Sequence, residues 1–163
     1  MRLLHFSMIL GLSATLAMSG CKKDDPCDDV TCLNGGTCSD GTCSCQSGYE
    51  GSTCGTEVRA KFLSTYNVNE TCPSGNFSYQ STITTSSTGI NRVIINNFAG
   101  FGVSATASVT GSSITIGTQQ VDIQGNAATI SGSGQLSGSI LTISYTISAG
   151  GSSESCTLTC TKQ

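Results

Sequence analysis

Sulfur and carboxylate are the two reactive chemistries this chain offers: it carries ten cysteines, ten acidic residues and a single histidine, His5. Seven of the cysteines crowd into one ladder, CKKDDPCDDVTCLNGGTCSDGTCSCQSGYEGSTC, from Cys21 to Cys54, and the others are Cys72, Cys156 and Cys160. Cysteine at this density in a short chain points to an oxidising compartment and to disulfides rather than thiolate metal ligands. From Cys27 the spacing is C-x4-C-x5-C-x4-C-x-C-x8-C. Six cysteines admit fifteen pairings, and spacing alone does not choose among them.

The carboxylates do not assemble into catalytic machinery. From Phe62 to Thr161 the acids are Glu70, Asp122 and Glu154. They sit on separate expected strands or strand edges, in no frame that a two-carboxylate glycosidase would need. No G-x-S-x-G nucleophile elbow occurs. The run GSGQLSG, Gly132 to Gly138, has no following helix and no Gly-Lys-Ser/Thr, so it reads as a strand bulge or bend and not as a phosphate loop. No enzymatic activity and no cofactor are expected.

Met1 to Gly20 reads as a secretion signal. Arg2 supplies the positive start, and Leu3 to Met18 an apolar core interrupted by His5, Ser7, Ser13 and Thr15. That core is shorter than the roughly 20 apolar residues of a spanning helix. The following stretch, Met18-Ser19-Gly20-Cys21, resembles the bacterial lipobox, with Met18 where Leu is more usual. The resemblance implies cleavage before Cys21 and lipidation of that cysteine, which makes residues 1–20 a signal peptide and 21–26 a lipidated tether. Cleavage also removes His5, leaving the mature chain without imidazole for general-base work or metal ligation. The tether residues Lys22-Lys23-Asp24-Asp25 resemble the signal that sends some lipoproteins to the cell surface. The expected location is the outer membrane, facing outward, with the membrane itself as a partner through the lipid.

Residues 27–54 resemble an EGF-like domain. Cys43-Ser44-Cys45, Gly48-Tyr49 and Gly51-Ser52-Thr53-Cys54 match that family's C-terminal signature, and Leu33-Asn34-Gly35-Gly36-Thr37 its N-terminal loop. The resemblance implies the pairs Cys27–Cys38, Cys32–Cys43 and Cys45–Cys54. A stretch this short does not fold on apolar burial alone and needs cross-links or a metal. Calcium binding is not expected. Pro26 takes the place that calcium-binding relatives give to an acid or amide, and the loop from Cys38 to Cys43 is short and lacks an aromatic. Asp24, Asp25, Asp28, Asp29 and Asp40 read as solvated acids.

Gly55 to Lys61 is a short charged linker, and beyond it, in residues 62–163, period-two alternation takes over. Tyr66, Val68, Glu70 and Cys72 share one strand face, Phe77, Tyr79, Ser81 and Ile83 another, and Val103, Ala105, Ala107 and Val109 a third. Turn residues recur at Pro73-Ser74-Gly75, Gly100 to Gly102, Gly111-Ser112, Gly125-Asn126 and Gly150-Gly151. The fold class is mainly β: a small disulfide-rich module, then an antiparallel barrel of about eight or nine strands, with a sandwich as the alternative. In overall character this domain is similar to lipocalin and avidin barrels, and to the β-rich domains that follow EGF-like modules in some bacterial surface lipoproteins.

Closing such a barrel sets the first strand beside the last, antiparallel when the strand number is even. The end of the first strand then meets the start of the last, which predicts a Cys72–Cys156 disulfide. Cys160 lies about 13 Å further along, beyond the roughly 7 Å that a disulfide spans, and is left as a buried thiol.

Only 10% of residues are charged and the net charge is −3, so no basic stripe exists for nucleic acid. The loop Asn97-Phe98-Ala99-Gly100-Phe101-Gly102 is a candidate ligand loop, with Phe98 and Phe101 either stacking on a sugar or partner or plugging the barrel end. Two binding functions follow. One is display of a surface to an extracellular protein or glycan. The alternative is carriage of a small apolar ligand inside the barrel, in the manner of lipocalins.

Overall fold

A computed structural model describes residues 25–163. The leader, Cys21 and the tether as far as Asp24 lie outside the described residues.

The N-terminal module is held by sulfur. Strands β1 (Thr37–Ser39) and β2 (Thr42–Ser44) form a hairpin over Asp40-Gly41, both in the left-handed region at φ 49° and 76°. Three disulfides, Cys27–Cys38, Cys32–Cys43 and Cys45–Cys54, close loops of 11, 11 and 9 residues. Between residues 25 and 54 only Gly48 and Cys54 are buried, so the cross-links stand in for a core.

The segment from Gly55 to Lys61 is structured throughout most of its length. Strand β3 (Tyr49–Glu50) pairs with β4 (Thr56–Glu57), and a 3-10 turn follows over Val58–Phe62. Val58 and Phe62 are buried in the core of the domain beyond. Arg59, between them, donates from Nη1 to the carbonyls of Ser86 (2.8 Å) and Gly89 (3.0 Å) and from Nε to Glu57 (2.7 Å). Lys61 pairs with Glu50 at 2.7 Å, and Val58 N–H donates to Gly48 O. Gly48, at φ +97°, lies so close to Ile90 that a Cβ there would come within 2.3 Å of the Ile90 side chain. The module is seated on the barrel rather than strung from it.

Eight strands make the barrel: β5 (Ser64–Cys72), β6 (Gly75–Thr85), β7 (Arg92–Phe98), β8 (Val103–Thr110), β9 (Ser113–Ile123), β10 (Asn126–Ser137), β11 (Ile140–Ala149) and β12 (Ser152–Lys162). Each pairs antiparallel with the next, and β12 returns to β5 in the register Thr157↔Thr71 to Lys162↔Tyr66, closing the sheet. Closure removes every free edge. The alternation read in the sequence becomes an inside and an outside. Tyr66, Val93, Ile114, Ile130, Leu141 and Ile143 are among the fully buried interior, while Ser, Thr, Asn and Gln cover the exterior and pair across strands, as in Ser78–Asn69 and Gln80–Asn67. An apolar inside with a polar outside is a barrel built for water, the reverse of a membrane-spanning one. The Gly132–Gly138 stretch lies mostly within β10, and the β9–β10 register shifts between Ile130 and Gly132.

The two ends of the barrel differ. The chain enters through Phe62, whose carbonyl accepts a 2.8 Å hydrogen bond from Tyr66 Oη, and this aromatic pair plugs the end that carries the module. The other end is rimmed by the β5–β6, β7–β8, β9–β10 and β11–β12 turns and is not plugged in this way.

Candidate functional site

At that second end a cavity of about 390 Å³ opens between the turns. Aromatic rings wall it, namely Phe77, Tyr79, Phe101 and Tyr145, and two carboxylates reach it, Glu70 and Glu154. Its construction follows from strand parity. Glu70 shares the inward face of β5 with Tyr66 and Val68, so the carboxylate is carried into the barrel and is only 3% exposed. Tyr145, inward on β11, donates its hydroxyl hydrogen to Glu70 Oε1. The hydroxyl of Tyr79, on β6, is buried beside the same Glu70 carboxylate, close enough for the carboxylate to hold its proton but outside the geometry of a full hydrogen bond. Burial pushes both phenols well above the ordinary tyrosine range, and the neighbouring Glu70 pushes them further. Both therefore remain neutral hydroxyls, able to donate and to accept.

The loop from Asn97 to Gly102 divides its two aromatics. A register irregularity between Ile95 and Phe98, with Asn97 at φ 53°, turns Phe98 inward. There it is 1% exposed and meets Tyr145 edge-on, at 4.9 Å between ring centres. Phe101, three residues on, stays 43% exposed at the rim. Gly100, at φ +71°, backs onto the Tyr79 ring, where a Cβ would approach within 3.1 Å. Asn97 holds the loop by accepting from Gly102 N–H and donating to Gln80 O. Outside the cavity a shallower depression of about 530 Å³ continues over Pro73, Phe101, Ile147 and Ala149.

A disulfide forms part of the wall. Cys72 and Cys156 are bonded, with Cα atoms 4.4 Å apart and a sequence separation of 84, across the β5–β12 seam. Cys160 is a buried free thiol whose strand register sets it beside Val68 and Leu141. Glu70, Cys72 and Cys156 are the one group of three possible metal ligands found close together among the described residues. With both sulfurs in a disulfide, neither is a thiolate, and a lone carboxylate does not make a metal centre.

Glu70, Tyr79, Tyr145 and the cavity itself are the features that sequence reasoning did not single out as a site. The signal for Glu70 was present: it is the one acid sharing a strand face with Tyr66 and Val68. No family model, curated protein or solved structure matches this chain, so the site stands on its own geometry.

Proposed function

We propose that this chain is a lipid-anchored, non-catalytic binding protein of the outer cell envelope, in which the barrel mouth is the recognition site and the EGF-like module is the stalk that holds it out. The cavity at the end of the barrel remote from the module carries this reading. A tether attached at Cys21 precedes the module, and the module sits on the plugged end, so the mouth is turned away from the anchor. Exposed Phe101 and the apolar depression beside it offer an extracellular protein or glycan a surface, and the cavity offers a socket for a projecting group.

A lipocalin-like carrier of a small apolar ligand is the second reading, favoured by the same aromatic walls. The plugged half of the barrel weighs against a deep calyx, because Phe62, Tyr66 and the aliphatic side chains above them fill it. Binding of the intact protein to arrays of extracellular proteins and glycans, compared with Phe101→Ser, tests the first reading. Loss of about tenfold or more in affinity is expected from removing one aromatic anchor. Full binding by Phe101→Ser would move the site elsewhere. An apolar molecule co-purifying with the protein, seen by native mass spectrometry, would favour the carrier instead.

A further inference from the structure

The charges of the barrel are sorted by end. From Leu63 to Gln163 the acidic side chains are Glu70, Asp122 and Glu154, and the basic ones Arg92 and Lys162. Asp122 ends β9 and Glu154 begins β12, so with Glu70 all three acids lie toward the mouth, whereas Arg92 and Lys162 lie toward the module. The ion pairs among the described residues, Arg59–Glu57 and Lys61–Glu50, are also at the module end. Among the described residues, no cation faces the mouth carboxylates.

Two of these acids have structural work. Asp122 accepts from Gly125 N–H and fixes the β9–β10 turn, and Glu154 accepts from Ser74 N–H and ties the β5–β6 turn to β12. Glu70 is different. It is almost wholly buried, it lines the cavity, and Tyr145 is the hydroxyl that donates to it at full hydrogen-bond geometry. A carboxylate taken out of water without a cation is costly, and the cost falls when an opposite charge enters beside it. The buried Tyr79 hydroxyl beside it makes no full hydrogen bond, and even with its proton turned to Glu70 it has lone pairs to give. Phe77, Phe101 and Tyr145 line the same cavity, and aromatic rings attract ammonium groups.

We propose that the mouth cavity binds a primary ammonium group carried on an apolar arm, with Glu70 as its counter-ion, Tyr79 Oη as a second acceptor, and Phe77 and Phe101 covering the arm. This rests on the mouth being the recognition site and names the chemistry it selects. The ammonium is supplied either by a free amine or by a lysine side chain of a protein partner. Three N–H donors suit one carboxylate and one hydroxyl with a bond left for water, which a quaternary ammonium does not match.

The experiment follows the aromatic NMR signals of the oxidised protein during titration with phenethylammonium, 2-phenylethanol and 3-phenylpropionate. These probes share a ring and arm and differ in charge. Phenethylammonium is expected to shift the Phe77, Tyr79, Phe101 and Tyr145 signals and to bind about tenfold or more tightly than the alcohol, the worth of a desolvated cation contact. The carboxylate probe is expected not to bind. Glu70→Gln keeps an amide oxygen for Tyr145 and should cut the preference for amine over alcohol to about threefold or less, the share left to Glu154. Should that variant not fold, Glu154→Gln, at the rim, should narrow the preference about twofold to threefold by the weaker, more screened charge it removes. An Nα-acetyl-lysine methylamide arm identifies the source: tighter binding than phenethylammonium names a lysyl side chain, and weaker binding a free aromatic amine. Equal affinity of amine and alcohol for the native cavity overturns the charge selectivity but leaves the recognition site standing. If no probe shifts these rings, both fall.

Discussion

The two halves of the molecule solve the same problem by opposite means. In the module, three disulfides act on a stretch in which only Gly48 and Cys54 are buried. In the barrel, a continuous apolar interior runs from Phe62 to Tyr145, and one disulfide crosses one seam. Covalent cross-links act mainly by narrowing the unfolded ensemble, whereas burial acts by removing apolar surface from water. A module this small needs only the first. A domain that must hold a cavity open in water needs the second, because close packing below the cavity keeps its walls in place. The module and the barrel therefore differ in what breaks them.

Reduction gives the largest contrast. Each native bridge in so small a domain is worth about 2–5 kcal/mol, and the module has no interior to fall back on. With excess reductant, the amide signals of residues 27–54 should collapse to the dispersion of an unfolded chain while those of the barrel strands remain. Collapse of both sets together would mean that the barrel relies on the module or on its own Cys72–Cys156 bridge, which the same reductant opens, and that the contrast is false.

The seam disulfide should matter less to the barrel than the three bridges do to the module. Cys72–Cys156 closes a loop of 84 residues, for which chain entropy sets a ceiling of about 4–5 kcal/mol. Double replacement by alanine should lower the urea unfolding free energy of the barrel by about 2–4 kcal/mol and leave it folded at room temperature. A barrel that fails to fold without this bridge would place it in the same class as the module.

Much of this contrast was legible in the sequence. Period-two alternation, turn residues at regular intervals and a six-cysteine ladder identify a disulfide module followed by an antiparallel barrel, and eight strands close it. The cavity was not legible, because alternation says which side chains point inward but not where the filling stops. Two local features decide that. Val58 and Phe62 are separated by Arg59, Ala60 and Lys61, so the segment reads as a charged linker, yet its 3-10 turn sends those two apolar side chains into the barrel as a plug. At the other end, the irregularity at Asn97 breaks the parity that Val93 and Ile95 establish, turning Phe98 into the core and leaving Phe101 at the rim. Neither a 3-10 turn nor a one-position shift leaves a periodic trace.

The joint between the halves ranks next. Arg59 is the residue through which the module-side turn grips the β6–β7 loop, with its side chain 12% exposed. Arg59→Met keeps the aliphatic stem and removes the donors. Since hydrogen bonds from a charged group contribute about 1.5–3 kcal/mol, the joint should loosen by up to that amount. Backbone relaxation should then show residues 27–54 tumbling faster than the barrel. A single correlation time for both would mean that Gly48 against Ile90 and the Val58–Gly48 hydrogen bond hold the joint alone.

The smallest effect separates the barrel interior from the module by pH. Burial, and then the nearby Glu70 charge, push the Cys160 thiol from 9.0 up to about 12, and burial, with Cys160 as a lesser cause, pushes Tyr66 from 10.0 up to about 12. Between pH 9 and 12 the unfolded chain has already released the Cys160 proton while the folded chain keeps it. The native state then binds more protons, and stability falls as pH rises through that window. At pH 10 the loss is on the order of 1 kcal/mol. Cys160→Ala removes the first group to act, so the decline should begin near pH 10, with the tyrosines, instead of near pH 9. The slope of stability against pH is the quantity to compare, because the alanine also leaves a small cavity that lowers stability at every pH. The native thiol should also resist alkylation at pH 9 until the barrel unfolds. Parallel slopes for the two proteins between pH 9 and 10, or rapid alkylation of the folded chain, would mean that the interior around Cys160 admits water, and that the barrel is less dry below its mouth than its packing implies.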